Sequence, residues 1–104
     1  MAKDTAPPYS RGTPTERVRT AQLDVGAHVV TTPIPPNLRA NEPPIVRPCG
    51  IALVGRVREV AEIRVRLVPT GDVGRSARLY TVLFTDGTAA FDVSPLVLWF
   101  TVSP

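Results

Sequence analysis

Leu79-Tyr80-Thr81-Val82-Leu83-Phe84-Thr85-Asp86-Gly87-Thr88-Ala89-Ala90-Phe91-Asp92-Val93 is the stretch that decides the fold. In its first half Tyr80, Val82 and Phe84 alternate with Leu79, Thr81 and Leu83. That is the period of two of a strand whose successive side chains point to opposite faces. Asp86-Gly87 follows at once, and Asp-Gly between two β-prone runs is a strong hairpin signal. A two-residue type I′ turn asks for positive φ at both central positions, which these residue types tolerate. Thr88 to Val93 is expected to return antiparallel, Ser94-Pro95 to make a short turn or a single helical turn, and Leu98 to Val102 to form the last strand.

Upstream, Ile51 to Val68 reads as the central β segment, with Ile51, Leu53, Val57, Val60, Ile63, Val65 and Leu67 apolar and Arg64 and Arg66 on the opposite face of its last stretch. The apolar positions fall on odd numbers except Val60, so a bulge or tight bend is expected near Val60 and Ala61. A helix from Arg56 to Leu67 is the alternative, since Glu59, Glu62 and Arg66 stand at helical spacing, but β-branched residues dominate the apolar positions and favour strands. Thr70 to Ala77, with two glycines and Asp72, reads as a loop. Earlier in the chain Val18, Leu23 and Val25 lead through Gly26 into His28-Val29-Val30-Thr31-Thr32, the expected first strand. Pro33, Pro35 and Pro36 end it, because proline cannot donate a ladder hydrogen bond. The loop from there to Pro48 has polyproline-like character, and loops of such length tend to carry function.

A chain of 104 residues fits one domain. Twelve prolines make long helices improbable, and most of them precede Cys49, so the apolar core is expected after that residue. Residues 1–15 are expected to be a disordered proline-rich arm, too poor in apolar residues to offset the entropy of ordering; residues 16–104 are expected to be the β domain, with its proline-rich loop at 33–48. Eleven of the twelve basic residues are arginine and the net charge is only +3; this bias is the usual mark of a GC-rich genome, bacterial or phage. Cys49 is the single cysteine, which excludes an intramolecular disulfide and leaves too few soft ligands for a structural zinc. No apolar run follows Lys3, and Leu96 to Phe100 is far too short to span a bilayer. A cytoplasmic protein without membrane contact is the expectation.

Tyr80 to Thr88 followed by Phe91-Asp92-Val93-Ser94-Pro95-Leu96 resembles the hairpin and following 3₁₀ turn of Tudor-like, SH3-type small barrels. Gly26-Ala27-His28-Val29-Val30-Thr31 looks like the first strand of such a barrel, and Gly55-Arg56-Val57-Arg58-Glu59-Val60 like its second. The resemblance implies a mainly β, SH3-like barrel of five to six short antiparallel strands. Tudor-type readers hold a methylated lysine or arginine in a cage of aromatic rings, whose faces attract a desolvated cation. One cage ring commonly follows the hairpin aspartate, and here that place is Gly87. Tyr80, Phe84 and Phe91 are more simply core residues.

No catalytic constellation stands out. A nucleophile and base would have to be Cys49 and His28, whose spacing carries no triad signature. Asp86 is already explained by its turn, and Gly71-Asp72-Val73-Gly74-Arg75-Ser76 lacks the lysine of a phosphate-binding loop. The expectation is a non-enzymatic protein-interaction or structural module without cofactor or metal, contacting a protein partner through Asn37, Leu38, Arg39 and Asn41 of the long loop with Tyr80 and Trp99. One alternative is a nucleic-acid-binding barrel using Arg56, Arg58, Arg64 and Arg66 as an electropositive stripe, although Glu59 and Glu62 lie among them and favour cross-strand ion pairs. Another is a subunit of a larger assembly, or a homodimer. Trp99 and Phe100 must point to opposite faces of the last strand, which leaves one of them toward an uncovered surface.

Overall fold

A computed structural model describes residues 6–10, 12–33, 45–49 and 55–103. The chain is mainly β. Its strands are β1 (Thr15–Arg19), β2 (His28–Pro33), β3 (Val46–Pro48), β4 (Arg56–Pro69), β5 (Ser76–Phe84), β6 (Ala89–Val93) and β7 (Leu98–Val102), with one 3₁₀ turn at Thr20–Gln22. They form an antiparallel sheet in the order β1-β7-β2-β4-β5-β6 that is not closed into a barrel; β3 joins β2 beside β7. The two share one edge of β2, with His28 and Val29 opposite Val102 and Thr101 of β7, and Thr31 to Pro33 opposite Pro48 to Val46 of β3. Ile45 adds a single parallel bridge to Ala89 at the β6 edge.

β4 belongs to both halves of the sheet. Arg56 to Glu59 pair with β2, Val60 to Pro69 with β5, and the register shifts between Val60 and Glu62. Ala61 is therefore the extra residue of a bulge, and it reverses which parity faces inward. Arg58 and Val60 are buried before it; Ile63 packs on the core after it. The helix alternative over Arg56–Leu67 is thereby replaced by a bent strand. The core consists of Leu23, Val29, Val46, Val60, Val82, Phe84, Ala90 and Trp99, so β2 and β3 contribute to it as well as the segments after Cys49. Val30 points to the other face of β2 and is covered by Cys49 and Gly55; a Cβ on Gly55 would strike Val30 Cγ1 and lie 3.0 Å from Cys49 Sγ.

The hairpin at Asp86-Gly87 exists, with a different turn from the one expected. Phe84 N–H bonds to Thr88 O (3.0 Å) and Gly87 N–H to Phe84 O (3.1 Å). Gly87 has φ of 87° while Asp86 has no positive φ. This is a three-residue loop, a type I turn closed by a left-handed glycine. Asp86 is thereby free to use its carboxylate as a cap: Oδ1 accepts from Thr88 N (3.1 Å) and Thr88 Oγ1 (2.6 Å).

Three segments differ from the sequence reading; the first is Val46–Pro48, expected inside the proline-rich loop at 33–48, which is strand β3 paired with β2. Thr15–Arg19, expected partly in the N-terminal arm, is strand β1, paired with β7 from Thr15↔Val102 to Arg19↔Leu98. Residues 6–9, expected to be disordered, lie along the start of β4: Val57 N–H bonds to Pro7 O and Tyr9 N–H to Gly55 O (both 2.8 Å), and Arg56 Nη1 donates to Ala6 O. The backbone groups of this proline-rich stretch find partners on the β4 edge, and Ala6 is buried there. A short helix-like turn then links β1 to the core. Thr20, fully buried, bonds through N and Oγ1 to Val97 O (2.9 and 3.1 Å) and accepts the Trp99 indole N–H (2.8 Å).

Candidate functional site

The residues expected at a contact surface divide three ways. Asn37, Leu38, Arg39 and Asn41 lie outside the described residues. Tyr80 and Trp99 are core residues: Tyr80 is buried against β4 and β6, and Trp99 is 0% exposed, with its ring 6.2 Å from that of Phe84. They are strand positions on the inward parity, where a large apolar ring is worth most when removed from water. Phe84 is buried too, while Phe91 is 56% exposed, so the rings do not gather as a cage. Of the neighbours in β7, Trp99 goes in and Phe100 is half-buried with Leu98 exposed.

The arginine stripe is broken by the bulge. Arg58 is buried, its Nε on Thr31 Oγ1 (2.7 Å) and its Nη1 paired with Asp86 Oδ2. Arg56 is turned to Ala6. Arg64 and Arg66 are exposed, but each is paired: Arg64 with Glu62 (3.0 Å) and Arg66 with Asp92 through Nε and Nη2 (both 2.9 Å). The four arginines therefore do not form one free electropositive face. Asp92 sits at a second bulge, between the Tyr80↔Val93 and Val82↔Ala90 pairs, with φ of 54°. Burial of the Asp86 carboxyl opposes its ionisation, yet the Thr88 hydrogen bonds and then Arg58 outweigh that and hold its pKa below the usual range. The opposite holds for the Cys49 thiol, which burial pushes up against a smaller opposing effect of Arg47. Among the described residues no group of His, Cys, Asp and Glu could hold a metal ion.

What stands out is a ribbon that buries little. β6 ends at Val93, opposite Tyr80, so from Arg66↔Leu79 to Pro69↔Ser76 the β4–β5 hairpin has no third strand among the described residues. Its tip, 70–75, is closed by Arg75 N–H on Asp72 O (3.1 Å), with Gly71 and Gly74 at positive φ. Val65 and Leu67 are more than half exposed and Val73 fully so. Four arginines stand in this hairpin, Arg64, Arg66, Arg75 and Arg78, against Glu62 and Asp72; among the described residues Arg75 and Arg78 make no ion pair. A two-stranded hairpin is marginal by itself, and this one leaves three large apolar side chains toward solvent. The sequence showed the alternation of Ile63, Val65 and Leu67 but not that the sheet opposite it stops at Tyr80.

Two open clefts flank His28. One, about 230 Å³, is walled by Val18, Leu23, Ala27 and Val102 with Asp24 and His28 at its rim. The other, about 280 Å³, lies between the residues around Pro7, Val57 and the Asp86 loop. Both are below the roughly 300–1,000 Å³ of a small-molecule pocket. Compared with protein-family models, with curated proteins and with solved structures, the chain matches none.

Proposed function

We propose that this chain is a non-enzymatic protein-interaction module in which a small β domain of SH3-like plan presents the β4–β5 ribbon to a protein partner. The exposed, unsupported ribbon carries the reading: Val65, Leu67 and Val73 with Arg75 and Arg78 combine apolar contact area with unpaired charge, the composition of a docking element. The SH3-like plan is supported by the order β2-β4-β5-β6, by the short turn at Ser94–Val97, and by β7 pairing back onto β2. Residues 34–44, which include Asn37, Leu38, Arg39 and Asn41, are proposed as a second contact surface.

The test is a ribbon-shortened chain in which Leu67 is joined to Arg78 through Asn-Gly. Used as bait beside the unaltered chain, it is expected to lose bound partners. Retention of every partner contradicts the ribbon reading, and their loss only when residues 37–44 are replaced by glycine and serine moves the contact to the loop. A second reading, nucleic-acid binding, draws on the unpaired Arg75 and Arg78. It requires affinity that falls steeply with salt, and no binding of single- or double-stranded DNA at low salt disposes of it.

A further inference from the structure

The ribbon tip and the cleft beside Asp24 have the properties of a knob and a hole. Val73 is the most exposed large apolar residue described, standing free at the tip, with the unpaired Arg75 two residues on. The cleft has apolar walls from Val18, Leu23, Ala27 and Val102, room for one or two side chains, and the exposed Asp24 at its rim. Apolar tip meets apolar cleft, and guanidinium meets carboxylate. Within one molecule the two cannot meet. Gly26 N–H is bonded to Val60 O (2.8 Å) beside the cleft, and the extended run from Val60 to Pro69 carries the tip about 30 Å away at roughly 3.3 Å per residue.

We infer that the cleft at Asp24 receives the ribbon tip of a second copy of this chain, Val73 seated between Val18, Leu23 and Val102 and Arg75 paired with Asp24. Tip and cleft are different surfaces, so the contact is heterologous. Each copy offers one tip and one cleft, and association is head-to-tail, closing into a ring or continuing as a filament according to the rotation per step. The contact is smaller than a standard interface, so it is weak between two free copies and is reinforced when a ring closes. This rests on the ribbon being a docking element and names its partner.

Light scattering of the purified chain up to about 1 mM protein, a range set by the small contact, tests it. A mass rising with concentration above that of a single chain is expected. Val73→Asp, which disables the tip, and Asp24→Arg, which disables the cleft, are each expected to be monomeric while melting like the unaltered chain, since both positions are exposed. Mixed together, the two variants are expected to form dimers and nothing larger, because one intact tip meets one intact cleft. The double variant Asp24→Arg with Arg75→Asp is expected to regain association. A monomer at every concentration, association unchanged by either variant, or no dimer in the mixture overturns the inference. If the unaltered chain is monomeric and the ribbon-shortened bait still loses a different protein, the ribbon remains a docking element with another partner. If it loses none, both readings fall.

Discussion

Arg58 and Asp86 show what single residues do in this fold. Arg58 lies on the inward face of β4 and reaches the hairpin loop, so its guanidinium ties β2, β4 and the turn together through Thr31 and Asp86. Because the folded carboxyl titrates below its unfolded value, its contribution to stability is fully present above the unfolded pKa of about 4 and is lost as pH falls through the lower, folded pKa. Acid unfolding followed by circular dichroism should therefore show stability declining below about pH 4, and Asp86→Asn should flatten that decline while lowering neutral-pH stability by about 1–3 kcal/mol, because the buried Arg58 loses its charged hydrogen bond to Asp86. Gly55 supplies a second prediction. Gly55→Ala should cost about 1–3 kcal/mol in chemical denaturation, and Cys49→Ala in the same chain should not rescue it fully, since the added methyl meets Val30 as well as Cys49. Neither constraint was legible in the sequence. Arginine carries no apolar pattern, and the partners of Arg58 are 27 and 28 residues away along the chain. Gly55 stood there only as the start of a strand.

At the scale of elements, the parity break at Val60 was the most informative sequence feature. It placed the bulge where the register does shift, and it sets which side chains of β4 reach the core. Deleting Ala61 would restore unbroken alternation with Val60 and Ile63 both still facing the core, and would remove the bend that the extra residue puts into β4. The deletion is expected to keep a cooperative thermal transition at a lower midpoint, because β4 loses the bend between its pairing with β2 and its pairing with β5, whereas Ala61→Ser, on the exposed extra residue, should stay within about 0.5 kcal/mol of the unaltered chain. β7 and the hairpin were readable because their patterns are local: an Asp-Gly turn and a short apolar run. The turn type was not, since choosing between a two-residue and a three-residue loop depends on where Thr88 pairs, and the Asp86 cap on Thr88 decides it. β1 was missed as a strand because Thr15–Arg19 is mostly polar and charged. Its ladder partner β7 lies at the other end of the chain.

Over the whole molecule, a small core held by Trp99, Phe84 and the valines of four strands carries a ribbon that contributes little burial. Mainly β architecture was legible throughout the sequence. The separation of ribbon from core was not, because Val65 and Leu67 repeat the spacing of Ile63 and only the end of β6 at Val93 leaves them uncovered. The stripe weighed as an alternative for the arginines of β4 does not assemble for a related reason: one bulge sends Arg58 inward and Arg64 outward, so that equal spacing no longer means one face. A ribbon kept for docking should be dispensable for folding. The check is thermal unfolding of the chain with Leu67 joined to Arg78 through Asn-Gly. A cooperative transition within about 4–8 °C of the unaltered chain is expected, the shift that about 1 kcal/mol makes in a domain of this size. Loss of the transition, or a midpoint lower by more than about 15 °C, equivalent to several kcal/mol, would show that the ribbon holds the fold together and contradict its reading as a docking element.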